Sequence, residues 1–367
     1  MRIAMAAPLI ESVPPERYGG TERVVSVLTE ELVHRGHAVT LFASGDSHTR
    51  AELVACAPRG LRLDPTVRDT VAYTMIQLGQ VYARADQFDL IHNHTDYFAF
   101  PFARLSTTPT VTTTHGRLDL LEIRRVYQSF PEAPLIAISQ SQRVPLPTAN
   151  WLATIPNAID LRGFHFRPDP GNYLVFLGRI SPEKRVDRAI EIARDVGMRL
   201  VIAAKVDPAD RDYYEQAIAP LIRDNPLVEY IGEVDERQKD TLLGGAYAYL
   251  FPIDWPEPFG LTMIEAMATG APVVAYRTGS VPEVIVDGVT GFICGTVHDM
   301  VEAVLRVGTL DRRACRSHVE RHFSAEVMTE RYERAYRSLL GATDSGQMVS
   351  SLAMPVALEI PTYGEDA

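Results

Sequence analysis

Cysteine is scarce in this chain: Cys56, Cys294 and Cys315 are the only three in 367 residues, and they are scattered without metal-ligand spacing. They point to neither a disulfide framework nor a zinc site, and read as buried free thiols. Long hydrophobic runs are missing too, since none approaches the roughly 20 apolar residues of a membrane helix. The opening Met-Arg-Ile-Ala-Met-Ala-Ala-Pro has one basic residue and a short apolar run. It reads as a first buried strand, not a signal peptide, so a cytoplasmic protein is expected. Positive charge is also in deficit, with 36 basic against 47 acidic residues and a net charge of -11. That balance argues against nucleic acid as a partner and against an anionic membrane as the main one. No Gly-x-Gly-x-x-Gly follows a strand-like run, which weighs against a dehydrogenase.

What the chain does have is length for two domains and an alternation of short apolar runs with amphipathic segments. This is the sign of an α/β protein with parallel sheets covered on both faces. Strand-like runs span 3–7, 38–43, 89–92, 109–114, 135–138 and 152–155, then 173–177, 199–204, 228–231, 247–252, 272–276 and 291–294. The clearest helical segment is 21–34, where Val24, Val25, Leu28 and Leu32 recur at helical spacing before Gly36. Two Rossmann-like, doubly wound domains are expected, 1–160 and 161–323, joined near Ile155-Pro156-Asn157-Ala158-Ile159-Asp160. They would face each other across a cleft, because ligands in such folds bind at the carboxyl ends of the strands. Residues 324–340 read as a last amphipathic helix, and 341–367 as a loosely held tail.

The densest chemistry lies in Glu257-Pro-Phe-Gly-Leu-Thr-Met-Ile-Glu265, followed by a helix end of small residues. A helix opening at Phe259-Gly260-Leu261 offers free N–H groups and partial positive charge, a natural place for a phosphate. Carboxylates on either side of an anion site make sense if the ligand also brings hydroxyls. A sugar joined to a nucleotide diphosphate brings both. Gly19-Gly20 stands before the first helix, where glycines let the backbone bend around a ligand; the plain alternative is a turn with Thr21 as helix cap. The run Gly178-Arg179-Ile-Ser-Pro-Glu-Lys184-Arg185 ends a strand with three cations, and Arg179 with Lys184 would meet the charge of a departing diphosphate. His115-Gly116 ends another strand. A rival signal is His92-Asn93-His94-Thr95-Asp96, in which His92 and His94 share a strand face and, with Asp96, suggest a zinc-dependent hydrolase. The final histidine of the corresponding hydrolase motif is replaced by Tyr97.

Together these motifs resemble the signature of the family 4 retaining glycosyltransferases, which have the two-domain GT-B fold. The resemblance runs from residue 1 to about 340. It implies a donor that is a nucleoside-diphosphate sugar, most often a UDP- or GDP-sugar, with no further cofactor and no metal. It assigns Glu257 and His115 to the transferred sugar and Glu265 to the ribose. Gly19, Gly20, Arg179, Lys184, Phe259, Gly260 and Leu261 fall to the diphosphate, and the last helix crosses back to the first domain. Histidines also stand near the acceptor in such enzymes, so His94 is expected to contact donor or acceptor. Arg185 occupies a position where the family usually has Gly, and Lys205 lies where many members have a Gly-rich loop, which makes it a candidate donor contact. The acceptor, whether glycan, lipid or small molecule, would be held by first-domain loops such as 45–70 and 117–131. In the latter, Arg117, Arg124 and Arg125 lie among leucines and allow weak membrane contact, although Asp119 and Glu122 interrupt the pattern. A sugar-nucleotide binding protein without catalysis is the remaining alternative.

Overall fold

The computed structural model describes residues 1–17 and 19–341; the expected tail, 342–367, lies outside the described residues. The first sheet comprises β1 (Arg2–Ala6), β2 (Ala38–Ser44), β3 (Glu52–Ala57), β4 (Leu90–Asn93), β5 (Thr110–Thr113), β6 (Leu135–Ala137) and β7 (Trp151–Thr154). The second comprises β8 (Tyr173–Arg179), β9 (Arg199–Lys205), β10 (Val228–Gly232), β11 (Ala248–Phe251), β12 (Val273–Tyr276) and β13 (Gly291–Cys294). Their orders are β3-β2-β1-β4-β5-β6-β7 and β10-β9-β8-β11-β12-β13, and all pairings are parallel. Each order therefore reverses once, between β1 and β4 and between β8 and β11. At such a switch the crevice beyond the strand ends is open for a ligand.

The strands form where the sequence is apolar on both faces. Ile3, Met5 and Ala4 of β1 are all fully buried, with helices above and below. Helix Gly20–His34 returns over this sheet with Val24, Val25, Leu28 and Leu32 buried, each worth about 1.5–3 kcal/mol of transfer free energy. One strand escapes the sequence pattern. β3 pairs in parallel with β2 after a connection of only residues 45–51, without the helix that such crossovers usually contain. Its Glu-Leu-Val-Ala-Cys-Ala sequence has a single β-branched residue, so it reads as loop.

The last helix, Ala325–Leu339, is capped by Ser324 and packs on helix Gly20–His34, not on the second domain where its preceding helix lies. Met328, Tyr332 and Tyr336 enter the core of the first domain. The chain thus recrosses the junction and ties the two domains together. Among the described residues, no helix is long and apolar enough to cross a membrane.

Candidate active site

One wall of the interdomain cleft is built at the end of β11. The chain leaves the sheet, turns through Glu257 and enters helix Leu261–Thr269 by way of Gly260, whose φ is +77°. A Cβ there would approach Met263 Cε to 2.8 Å and Phe251 Cζ to 2.9 Å, so glycine alone fits. The Glu257 turn is backed by Gly279, where a Cβ would stand 2.5 Å from the backbone N and O of Glu257. Ser280 completes the clamp: its N–H donates to the Glu257 carbonyl at 3.1 Å and its hydroxyl to the Phe259 carbonyl at 2.7 Å. Gly279-Ser280 therefore fixes the direction in which Glu257 points.

Both glutamates of this element are paired with lysines. Glu257 forms an ion pair with Lys184 Nζ. Glu265 is 2% exposed and takes a bond of 2.6 Å from Lys239 Nζ, which also lies 2.7 Å from Glu236. Glu236 in turn meets Arg23 of the first domain at 2.9 Å. The lysine offsets the cost of burying the Glu265 carboxylate, and carboxylate oxygens are good acceptors for hydroxyls.

Across the cleft, helix Gly20–His34 starts without a side-chain cap, because Gly19, not Thr21, holds the cap position. A Cβ on Gly20 would lie 3.6 Å from Leu261 Cδ1, so the two helix starts face each other at contact distance. Two helix N-termini converging on one space make a site for an anion. His115 follows β5, and Gln142 brackets it: the amide donates to the carbonyls of Thr114 at 3.0 Å and Gly116 at 2.9 Å.

A cavity of about 230 Å³ lies between these walls. Gly19, Gly20 and His115 line it from the first domain; Phe259, Gly260, Leu261, Glu257 and Glu265 line it from the second. Arg179, Lys184 and Lys205 complete the set of residues read from sequence that reach it. Arg179 does so while held by acids, at 2.5 Å from Glu183, 3.5 Å from Asp207 and 3.3 Å from Asp210, and Lys205 lies 2.9 Å from Asp207. Three further residues went unnoticed in the sequence. Lys239 lies on a mostly polar helix, Glu236–Gly244, whose spacing does not single it out. Gln142 and Arg23 likewise gave no signal.

His94 is placed differently from the sequence expectation. It is 1% exposed and lies behind His115, not on the cleft wall, with His94 Nδ1 2.8 Å from His115 Nε2. The zinc reading of His92, His94 and Asp96 also fails. His92 is bonded through Nε2 to Thr113 Oγ1 at 2.8 Å and through Nδ1 to the Tyr336 hydroxyl at 2.7 Å. Among the described residues no group of three His, Cys, Asp or Glu side chains is arranged to hold a metal. His92 is instead the post onto which the returning helix is bonded. Burial holds His92 and His115 down at about 3, keeps His94 well below its usual range, and raises Asp96 to about 6. These imidazoles are neutral near pH 7.

Residues 18–162 match the family described as Glycosyltransferase Family 4, and residues 159–316 match Glycosyl transferases group 1. The chain is 24% identical to a phosphatidyl-myo-inositol mannosyltransferase of Mycobacterium leprae, with 95% of this chain and 100% of that one covered. It is 29% identical to an alpha-maltose-1-phosphate synthase of Mycobacterium tuberculosis, over 79% of this chain and 84% of the relative. The fold is similar to that of Anabaena Alr3699/HepE, crystallised with UDP and glucose, at a TM-score of 0.72 and 19% identity, covering 92% of this chain and 100% of that one.

Proposed function

The chain belongs to the family 4 glycosyltransferases of GT-B fold, and from that premise we propose that it moves a sugar from a nucleoside-diphosphate donor to an acceptor hydroxyl with retention of anomeric configuration. One observation carries the reading: the starts of helices Gly20–His34 and Leu261–Thr269 converge on a cavity that Glu257 and Glu265 also line. The diphosphate lies against the helix starts, with Lys184 and Arg179 beside it. Glu265 accepts from ribose hydroxyls, and the bond it takes from Lys239 holds the carboxylate in place for that purpose. Glu257 and His115 hold the sugar.

In the reaction, the bond from the anomeric carbon to the phosphate oxygen breaks and its electron pair leaves with the diphosphate. Charge grows at the helix starts, whose N–H groups are fixed in advance, and Lys184 beside them meets it once the donor is bound. The acceptor oxygen bonds to the same face of an oxocarbenium-like carbon, and its proton passes to the departing phosphate oxygen. Arg179, shared among Glu183, Asp207 and Asp210, is held in place before the donor arrives. Closure of the two domains over the cavity keeps water from taking the acceptor's place. The neighbour crystallised with UDP and glucose supports a nucleoside-diphosphate sugar as donor, a UDP- or GDP-sugar, and glycan, lipid and small-molecule acceptors are left to be tested.

A melting-temperature screen with UDP-glucose, UDP-galactose, GDP-mannose and ADP-glucose tests the reading. A bound donor at about 100 times its Kd adds about 2.7 kcal/mol to stability. One sugar nucleotide is expected to raise the midpoint; Glu265→Ala loses that rise, whereas Glu257→Ala keeps it and loses transfer by about 10²-fold or more. A chain that responds to none of them and releases no nucleotide with any acceptor does not have this function.

A further inference from the structure

We propose that His94 is a positioning residue that fixes the tautomer of His115, so that His115 presents an unprotonated Nδ1 to the cleft and accepts a hydrogen bond from the substrate. The inference rests on the reading that His115 meets the transferred sugar. Its basis is a chain of three groups. Met5 Sδ lies 3.1 Å from His94 Nε2, and a thioether sulfur can only accept a hydrogen bond. In a neutral imidazole one nitrogen carries the proton, so on His94 it is Nε2, donating to Met5. His94 Nδ1 is then a bare acceptor. It stands 2.8 Å from His115 Nε2, which must therefore carry the proton of His115. Nδ1 of His115 is left as an acceptor, on a residue that lines the cavity.

The geometry around the pair admits little else. His94 is 1% exposed, and its ring lies against His115 at 5.1 Å between centroids and against His92 at 4.0 Å. His92 supplies no proton to this chain, since both its nitrogens are engaged by Thr113 and Tyr336. Gln142 holds the backbone on both sides of His115 and so fixes where the ring emerges. The consequence is chemical. His115 accepts from a sugar hydroxyl and does not donate, so it recognises a hydroxyl group and cannot favour an oxygen that only accepts, such as an ether or a carboxylate at the same position. It is Met5, in the middle of the first strand, that sets this preference through two rings.

The test is the ring tautomer of His115, read by two-bond nitrogen–proton correlation in protein labelled with ¹⁵N-histidine, with His115→Gln identifying its signals. The expected result in the wild-type chain without substrate is protonated Nε2 and bare Nδ1. A protonated Nδ1, or an even mixture, overturns the proposal. This readout needs no donor, so it stands or falls separately from the glycosyl-transfer reading. In His94→Leu the preference is expected to be lost, and turnover with the donor chosen by the melting screen to fall by roughly tenfold, the loss of about one hydrogen bond, at unchanged KM. An unaltered His115 tautomer in that variant would also overturn it. If His94→Leu does not fold, the wild-type spectrum alone decides.

Discussion

The two sheets share one strand order, but their carboxyl ends carry opposite chemistry. At the ends of β4 and β5 stand His92, His94, Thr113 and His115, with Tyr332 and Tyr336 of the returning helix bonded among them. Every one of these groups is neutral. At the second sheet's carboxyl end stand Arg179 and Lys184, at and after the end of β8, and Lys239, on the helix that follows β10, engaged by Glu183, Glu257 and Glu265. Topology selects where a ligand can lie, and the side chains at that place select what it can be. A buried imidazole avoids the cost of desolvated charge by giving up its proton. A diphosphate cannot, so the end that receives it must keep cations in place, each stabilised by an acid until the ligand comes. The difference between the two ends is thus one of proton release against ion pairing.

The comparison breaks most readily at Lys239. Lys239→Ala leaves Glu265 buried without its cation, and loss of one partner of a buried pair costs about 3–5 kcal/mol. The melting midpoint is expected to fall by roughly 10 °C in a thermal scan. Lys239→Met combined with Glu265→Leu should recover most of that loss but not donor binding. Recovery of both would mean that Glu265 does not touch the donor.

At the neutral end the corresponding experiment is a pH series. His92 is held at about 3 in the folded chain against about 6.5 unfolded. The unfolded state therefore takes the proton first. Its contribution is complete above pH 6.5 and is lost as pH falls below that value towards 3, at about 1.4 kcal/mol per pH unit. Glu22 acts in the other direction: burial raises it to about 7, so its contribution is complete below about 4.5 and is lost as pH rises through 7. The clean measurement is a difference. Urea midpoints of His92→Gln should decline less steeply than those of the parent between pH 6.5 and 5, and parallel lines would show that His92 carries a proton in the native state.

Fold and site were legible to different depths. Twelve of the strands could be read as short strand-like runs, the central ones apolar and buried on both faces, as in Ala248–Phe251 and Val273–Tyr276. β3 could not, since its short run has a single β-branched residue and no crossover helix separates it from β2. At the site, Glu257, Gly260 and Glu265 were visible because a helix start and its ligands are local in sequence. Lys239 and Gln142 act on residues 26 and 28 positions away, a distance that no local spacing reveals. His92 and His94 were correctly read as sharing a strand face, but the sequence could not show that the last helix covers it. That is why a histidine pair that looked like a metal site proved to be a bonded post and a ring standing behind His115.

A milder break is Tyr336→Phe. It removes the hydroxyl that meets His92 Nδ1 at 2.7 Å and keeps the ring in the core, so about 1 kcal/mol of stability is expected to go. Because His92 would keep Thr113 as partner, donor binding should not change. A loss of donor affinity would show instead that the returning helix transmits strain to the cleft.

The smallest effect is expected where the two chemistries meet. Arg23 is the first-domain member of the ion chain that runs through Glu236 and Lys239 to Glu265, and its pair with Glu236 spans the cleft at 2.9 Å. Glu236 is 41% exposed in its side chain, so solvent screens the pair and its worth is about 0.2–1 kcal/mol. Arg23→Ala should therefore leave the melting midpoint nearly unchanged while weakening donor binding by less than roughly fivefold, within the same energy range. The weakening should vanish near 1 M salt, where charges are screened within about 3 Å. If the deficit persists at high salt, Arg23 touches the donor directly, and the first domain supplies a cation to the donor's end of the cleft.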